Sequence, residues 1–350
     1  MGPRVVQFAI PGDLHSPTGG YGYDRALMAH LPALGWRVEH VALPGGFPDP
    51  GAAGLAQAGA VLAGLPDGAV VLIDGLAFGA MPAAAAREAD RLRLVALVHH
   101  PLADESGMPP ALAARLMESE RAALACTRAV ICTSAVTADR LVQGFGVARG
   151  AITVAPPGTP RPARPAPRRG DPPVVLSVGS LTPRKGHDLL IAALGRLRHL
   201  PWRARIVGAR PDEGTAAALR AQVVAEGLDG RIALVGPVED VGAEYAGADL
   251  FALASRHEGY GMAYAEALAH GLPVVASRVG PVASFVPEAA GALVPPGNVD
   301  ALAAALDRLL GDARARDRAA AAASAAGAGL PGWADTSAAV AARLEAVLGS

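Results

Sequence analysis

The sequence predicts an α/β protein of two doubly wound, Rossmann-like domains, each with a parallel sheet covered by helices. Three observations predict it. Short apolar runs rich in β-branched residues alternate with stretches of helical spacing. These runs are continuous rather than alternating, which is typical of strands covered on both faces. A segment dense in proline and arginine interrupts the alternation near the middle of the chain, and the alternation then starts again.

The first half of the chain contains five predicted strands and four predicted helices. The strands are Val5–Ile10, Val38–Leu43, Val70–Asp74, Leu92–His99 and Ala129–Thr133. The helices are Gly22–Leu34, Ala52–Leu62, Pro109–Leu124 and Val136–Gln143. Strands that alternate with helices at this spacing form βαβ units and a parallel sheet. We therefore expect a first domain over residues 1–165.

Pro156 to Pro173 cannot lie inside a helix or a sheet, because proline lacks the backbone N–H, and we expect an exposed, semi-rigid linker there. A second doubly wound domain should then cover residues 166–330. Its predicted strands are Val174–Val178, Ala204–Val207, Ile232–Val235, Leu250–Leu253 and Val274–Ala276. Its predicted helices are His187–Leu197, Thr215–Ala225, Val241–Ala246, Met262–His270 and Val299–Leu310. Residues 331–350 contain one more amphipathic helix, from Trp333 to Leu348.

Composition excludes several classes of protein. The 350 residues include 31 Lys+Arg against 32 Asp+Glu, so there is no basic field to hold nucleic acid. The two cysteines, Cys126 and Cys132, fit neither a disulfide framework nor a zinc site and indicate a reducing compartment. We find neither a signal peptide nor an apolar run long enough to span a membrane, and expect a cytoplasmic protein. Peripheral membrane contact stays open, and the oligomeric state is undetermined.

Ligands of doubly wound sheets bind at the carboxyl ends of the strands, so the loops after strands are informative. Gly19 and Gly20 follow the first strand, where glycine lets the backbone approach a phosphate or a sugar; a simple strand–helix turn fits equally well. His99 and His100 follow the fourth strand. No third His or Cys stands nearby at zinc spacing, so we expect no metal and favour hydrogen bonding to a sugar hydroxyl or a backbone carbonyl.

The first strand of the second domain is followed by Gly179 and then by Arg184 and Lys185, at a predicted helix start. Lys185 is the only lysine in the chain; the other 30 basic residues are arginine. A compact ammonium and a planar guanidinium are not equivalent at a phosphate. Two cations beside a positive helix terminus predict a diphosphate site, with a solvated charge pair as the alternative.

Two carboxylates flank the start of a predicted helix in the second domain. Glu258 follows a strand, Gly259 and Gly261 free the backbone, and Glu266 stands in the otherwise apolar helix after Met262. A carboxylate among apolar neighbours needs a partner if it is buried. At this place Glu266 could accept hydrogen bonds from a ribose diol, and Glu258 could contact sugar hydroxyls.

The ordered set of motifs resembles the family 4 retaining glycosyltransferases of the GT-B fold. The set comprises the Gly-Gly loop, the segment Leu-Ser-Val-Gly-x-Leu-x-Pro-Arg-Lys-Gly ending at residue 186, Ala-Asp-Leu-Phe at 248–251, Glu258 with Glu266, and Gly-Ala-Leu-Val-Pro-Pro-Gly-Asn at 291–298. The resemblance covers nearly the whole chain. It implies two Rossmann-like domains whose parallel sheets face a central cleft, and a terminal helix that returns to the first domain.

The resemblance also implies roles for individual residues. Arg184 and Lys185, with Gly179 and the Gly19-Gly20 loop, would bind the donor diphosphate. The donor sugar would meet Glu258, Gly259, Tyr260, Gly261 and Met262. Glu266 would hold the ribose, and Gly236, Pro237 and Val238 would meet the base. His99 or His100 would lie near the reacting sugar.

One position departs from the family pattern. Many members carry an acid in a Gly-x-Pro-Glu segment, whereas this chain has Ser284 at the corresponding place, and Glu288 comes too late to align. The departure leaves the diphosphate site intact. It puts in doubt how that wall of the site recognises donor hydroxyls or the acceptor.

By this resemblance the protein is a hexosyltransferase-type enzyme that moves a sugar from a UDP- or GDP-sugar to a hydroxyl acceptor. The resemblance implies retention and, since no Asp or Glu is evident as a nucleophile in the loops of the first domain, front-side displacement; we expect neither a metal nor another cofactor. Two alternatives stay open: a nucleotide-sugar epimerase that acts on the donor alone, and a non-catalytic sugar-nucleotide-binding protein. A dehydrogenase is disfavoured because no G-x-G-x-x-G follows the first strand.

Overall fold

The structure, a computed structural model, describes residues 4–105, 108–162 and 171–349. The chain forms two compact units, one of Met1–Gly158 with Pro331–Ser350 and the other of Thr159–Leu330. The predicted domain boundary between residues 165 and 166 lies outside the described residues, as does the centre of the predicted linker. The chain thus enters the second unit after Gly158 and returns to the first at Pro331.

The first unit contains a six-stranded parallel sheet in the order β2-β1-β3-β4-β5-β6. The strands are β1 (Arg4–Pro11), β2 (Trp36–Leu43), β3 (Val70–Asp74), β4 (Arg93–Val98), β5 (Ala129–Cys132) and β6 (Ile152–Val154). The helices between them are α1 (Gly19–His30), α2 (Gly51–Ala63), α3 (Gly75–Phe78), α4 (Pro82–Glu88), α5 (Pro110–Leu124) and α6 (Ala135–Phe145). Every residue of β3 and β5 is buried, because helices cover both faces.

The second unit contains another six-stranded parallel sheet, in the order β12-β11-β10-β7-β8-β9. The strands are β7 (Val174–Val178), β8 (Arg203–Val207), β9 (Ile232–Gly236), β10 (Leu250–Leu253), β11 (Val274–Ser277) and β12 (Gly291–Val294). The helices are α7 (His187–Gly195), α8 (Glu213–Ala225), α9 (Val241–Ala246), α10 (Met262–Ala269), α11 (Val282–Phe285), α12 (Val299–Gly311) and α13 (Ala313–Ala328). The structure confirms the α/β class and the two parallel sheets.

The last helix, α14 (Trp333–Leu348), completes the core of the first unit. Val340, Leu344 and Val347 are buried in the same cluster as the side chains of β1, β3 and β4. Thr336 Oγ1 donates a hydrogen bond to Pro156 O at 2.7 Å, and the Arg343 guanidinium donates to Thr153 Oγ1 at 2.6 Å. Both ends of the chain therefore build one hydrophobic core.

The elements that the sequence analysis missed are short or rich in small residues. Strand β6 has only three residues, and the four residues of β12 begin with glycine, which is uncommon in strands. Helix α13 buries only small side chains, at Ala315, Ala319, Ala323 and Gly327, so no stripe of large apolar residues marks it. None of the helices in the described part of the chain is long and apolar enough to cross a membrane.

Candidate active site

A tight turn after β7 presents Arg184 and Lys185. The pair lies in a 3₁₀ turn, Pro183–Lys185, and α7 begins two residues after Lys185, at His187, where the sequence predicts a helix start. Gly186 joins the two with φ of 64°. A Cβ atom at Gly186 would lie 2.0 Å from Ala254 O, so glycine alone lets this turn lie against the end of β10. Because β7 and β10 are neighbours, the turn comes next to the loop that carries Glu258.

Glu258 is the centre of a buried charge cluster. Lys185 Nζ donates to Glu258 Oε1 at 2.7 Å, and Ser255 Oγ donates to the same oxygen at 2.6 Å. The Arg184 guanidinium lies 3.6 Å from Oε2 and donates to His257 O. Burial raises the pKa of Glu258, but Lys185 and Arg184 outweigh it and hold the pKa below its usual value. Two cations thus lie against one carboxylate, and the three side chains together carry one net positive charge.

Close backbone approach shapes the glycine-rich loop around Glu258. Gly261 precedes α10 with φ of 102°. A Cβ at Gly280 would lie 2.6 Å from Glu258 O. Tyr260 is buried and stacks on Phe285 at 5.0 Å between ring centroids, so its ring is part of the wall. Gly259 and Met262 stand beside these residues, in the loop and at the first position of α10.

His187 is a component of the site that the sequence analysis missed. Its Nε2–H donates to Gly179 O at 3.1 Å and its Nδ1 lies 3.4 Å from Ser177 Oγ. Burial lowers the pKa of His187 to about 4, so the ring is neutral at pH 7. A Cβ at Gly179 would lie 3.2 Å from Cγ and Cδ of Lys185, so a larger residue there would push against the lysine side chain. Only its position two residues after Lys185 could have signalled His187.

Glu266 has the polar partner that the sequence analysis required of it. Tyr245 OH donates to Glu266 Oε2 at 2.9 Å. Burial raises the pKa of Glu266 to about 7, against the opposing effect of the Tyr245 hydrogen bond. Gly236 ends β9 with φ of 88° beside the Arg210 guanidinium, and Pro237 and Val238 continue the chain from that strand end.

A second group of charged residues lies in the first unit around His99. His99 Nε2 is 3.4 Å from Asp24 Oδ1 and 3.4 Å from Asp74 Oδ2. Asp24 is on α1 and Asp74 ends β3, and both are buried. Neither aspartate was predicted as a site residue. Asp74 carried a signal, since it ends a predicted strand at the edge where ligands bind.

The two aspartates differ in their hydrogen bonds. Asp74 Oδ1 accepts from Leu76 N at 2.6 Å and caps α3. Neither oxygen of Asp24 has a hydrogen-bond partner among the described residues. Burial raises the pKa of Asp24, and the neighbouring Asp74 raises it further. The pKa of Asp74 is lowered, because hydrogen bonds and the charge of His99 outweigh burial.

The structure separates the two adjacent histidines. A Cβ at Gly20 would lie 3.3 Å from His99 Cδ2, so the first turn of α1, which Gly19 begins, packs on this ring. His100 Nε2 instead contacts Glu105 Oε2 at 3.2 Å. The sequence has no third His or Cys at zinc spacing near His99 and His100. The structure adds that ligand atoms of His99, Asp24 and Asp74 lie within 4.8 Å of one another.

Ser284 stands where many family members carry an acid, and it bonds only within its own turn among the described residues. Its hydroxyl donates to Pro281 O at 2.6 Å. Glu288 pairs with Arg278 at the surface. Neither residue forms a hydrogen bond or an ion pair with Glu258 within the described parts of the chain.

Two family profiles match the chain. One, described as "Glycosyl transferases group 1", matches residues 172–312; the other, described as "Glycosyltransferase Family 4", matches residues 69–161. A GDP-mannose-dependent alpha-(1-6)-phosphatidylinositol monomannoside mannosyltransferase of Mycolicibacterium smegmatis is 36% identical over 203 residues, which are 52% of each chain. A D-inositol 3-phosphate glycosyltransferase of Kineococcus radiotolerans is 31% identical over 59% of this chain and 54% of the relative. The chain spans about half the length of these curated relatives.

Solved structures share the fold over almost the whole chain. Sucrose-phosphate synthase from Thermosynechococcus elongatus is 20% identical with a TM-score of 0.81, covering 98% of this chain and 99% of that chain. Anabaena Alr3699/HepE, solved in complex with UDP and glucose, is 19% identical with a TM-score of 0.74, covering 97% and 99%. These similarities show the fold.

Proposed function

Because the chain belongs to the family 4 glycosyltransferases of the GT-B fold, we propose that it transfers a hexose from a nucleoside diphosphate sugar to a hydroxyl acceptor. The buried cluster of Arg184, Lys185 and Glu258 carries the proposal. Its excess positive charge suits an anion, and the Glu258 carboxylate can accept hydrogen bonds from sugar hydroxyls. The relative from Mycolicibacterium is named for GDP-mannose, and the Anabaena structure contains UDP; both support a UDP- or GDP-sugar.

Arg184 and Lys185 would act mainly on the leaving group. As the glycosidic bond breaks, negative charge grows on the diphosphate, and fixed cations in a buried site stabilise that charge without reorganising. Glu258 would position the sugar, and Glu266 would hold the ribose through its hydroxyls. The charge cluster supplies what a metal would otherwise supply at the phosphates, which supports a metal-independent reaction.

Retention by front-side displacement remains our proposal for the stereochemistry. The first unit does contain the two carboxylates Asp24 and Asp74, which the sequence analysis overlooked. Asp24 is fully buried and Asp74 is 2% exposed, and both lie against His99, so neither is placed to attack a sugar. The departing diphosphate itself would then help to deprotonate the acceptor. The free cysteines Cys126 and Cys132 support a cytoplasmic location.

The first experiment identifies the donor. A thermal-shift screen with UDP-, GDP-, ADP- and TDP-sugars should give one base a clearly larger shift, because a ligand that binds only the folded state raises its stability. Product analysis with that donor alone then separates transfer and hydrolysis from epimerisation. A donor converted to an epimer in the absence of acceptor would replace the proposed reaction.

Lys185→Ala tests the diphosphate site. We expect kcat for donor turnover to fall about 100-fold, because a charge that stabilises the leaving group is lost. Arg220→Ala is the matched control, since Arg220 pairs with Glu213 on the surface of the same unit. Near-normal turnover of Lys185→Ala, with unchanged nucleotide affinity, would overturn the proposed role.

A further inference from the structure

We propose that the ionised Asp74 is a positioning residue that, with a neutral Asp24 beside it, holds His99 as an imidazolium, whose Nδ1–H donates a charged hydrogen bond to a substrate hydroxyl. The inference rests on the proposed glycosyl transfer for the identity of the substrate, but its central claim concerns the charge of His99 and is measurable without turnover. It assigns His99 the role of a permanent donor rather than of a general base.

The two ring nitrogens of His99 have different surroundings. Nε2 is buried and lies 3.4 Å from Asp24 Oδ1 and 3.4 Å from Asp74 Oδ2, within ion-pair distance of both carboxyl groups. The two ring nitrogens of an imidazole point in diverging directions, so Nδ1 faces away from the aspartates. Nδ1 has no hydrogen-bond partner in residues 4–105, 108–162 and 171–349, and the side chain keeps 19% of its surface exposed. The ring thus offers one N–H outward while the other meets the buried acids.

The surroundings of the two aspartates favour an ionised Asp74 and a neutral Asp24. A buried anion needs compensation, and His99 is the only cation paired with Asp24 or Asp74 among the described residues. Asp74 also accepts a backbone N–H at the start of α3, which favours its ionised form. Asp24 lacks any such donor, which favours its neutral form. With Asp24 neutral, the negative charge of Asp74 and the positive charge of a doubly protonated His99 ring cancel, so the cluster is neutral as a whole.

The other groups around the ring do not reverse this charge. Tyr23, from α1, packs its ring edge to face with His99 at 5.3 Å, and burial raises its pKa so that it stays neutral. Tyr21 also stays neutral, because burial and the two aspartates raise its pKa. Thr133, from the loop after β5, donates to His99 O. The carboxylates outweigh burial and raise the pKa of His99 to about 10.

Two isosteric substitutions separate the aspartates. In Asp74→Asn the charge is lost but the helix cap is kept, because asparagine also caps. In Asp24→Asn the amide replaces a carboxyl that is already neutral. We therefore expect Asp74→Asn to return the His99 pKa toward its usual value, and Asp24→Asn to leave His99 protonated near pH 7. Glu105→Gln, beside His100, is the matched control.

Nitrogen NMR of the histidine rings in the whole protein measures this directly, with His99→Gln to identify the signal. The expected result is a His99 ring protonated at both nitrogens between about pH 6 and 8, the range in which ordinary histidines titrate. A neutral His99 at pH 7 in the unsubstituted protein would overturn the proposal, whether or not the protein transfers sugars. Stoichiometric divalent metal bound by these three residues in the purified protein would overturn it as well.

Turnover of GDP-mannose and UDP-glucose tests the role in the reaction. Asp74→Asn should lower kcat about 100-fold at neutral pH and make kcat fall as pH rises through the new His99 pKa. Asp24→Asn should lower it less than about 10-fold, the size of one altered neutral hydrogen bond. If Asp74→Asn lowers kcat for donor hydrolysis without acceptor, the hydroxyl that His99 binds belongs to the transferred sugar. If it lowers kcat only for transfer, that hydroxyl belongs to the acceptor. Equal behaviour of the two variants in both assays overturns the proposal.

Discussion

At the scale of single residues, two glutamates close in sequence have pKa values that are shifted in opposite directions. Glu258 stays ionised because Lys185 and Arg184 lower its pKa against the effect of burial. Glu266 has only the Tyr245 hydroxyl as a side-chain hydrogen-bond partner among the described residues, and burial raises its pKa to about 7. The same side chain therefore has a fixed charge in one place and a charge that changes near neutral pH in the other.

This difference predicts a pH-dependent donor affinity. Glu266 is neutral below about pH 7 and ionised above it. A carboxylate accepts both hydroxyls of a ribose diol, so affinity should rise about 10-fold between about pH 6 and 8. Calorimetry with an intact nucleotide sugar measures it, since that diphosphate does not titrate in this range. Glu266→Gln should remove the pH dependence; a dependence that survives the substitution would exclude Glu266 as its source.

At the scale of elements, the turn Pro183–Lys185 depends on the strand beside it. Gly186 has φ of 64°, and its Cα faces Ala254 O at the end of β10. Gly227, at the end of α8, has nearly the same φ, 60°, but open space around it. The two glycines therefore share a left-handed φ and differ in the atoms around them.

Substituting alanine for each of these two glycines should separate the cost of backbone strain from the cost of a steric clash. Gly227→Ala should lower the free energy of unfolding only by the strain of a left-handed backbone, about 1 kcal/mol. Gly186→Ala adds a clash with a backbone carbonyl, and we expect a loss of about 3 kcal/mol in the free energy of unfolding, together with weaker nucleotide binding. Urea unfolding and calorimetry give both quantities. Equal losses for the two variants would mean that the turn can shift away from β10 at little cost.

At the scale of the whole molecule, the two ends of the chain meet in one unit. Helix α14 lies in the core of the first unit although the second unit separates it from β1–β6 in sequence. Leu344 is fully buried in that core, whereas Leu348, one turn later, is 37% exposed. The first unit is therefore incomplete until the last residues of the chain are in place.

Leu344→Ala should destabilise the first unit by about 2–5 kcal/mol, because it leaves a cavity in a packed core. Leu348→Ala should change stability by less than about 0.5 kcal/mol. Hydrogen exchange locates the effect: amides of β1, β3 and β4 should exchange faster in Leu344→Ala, while those of β7 and β10 keep their rates. Faster exchange confined to the second unit would contradict the assignment of α14 to the first.

The sequence by itself determined the α/β class, the parallel strands and the residue types of the charge cluster. Buried parallel strands are continuous apolar runs, a property visible within a few residues, and β3, β10 and α14 have the bounds that the sequence predicts. The sole lysine beside Arg184 is likewise a local fact. Edge strands β6 and β12 were missed because β6 has only three residues, and β12 begins with glycine and is partly exposed.

Only the tertiary structure decided which of these residues meet. Asp24, Asp74 and His99 belong to segments far apart in sequence, and they meet because β1, β3 and β4 are adjacent in the order β2-β1-β3-β4-β5-β6. That order depends on how the whole sheet packs, and no local pattern encodes it. The same holds for titration, because a pKa depends on burial and on neighbouring charges, which exist only once the chain has folded.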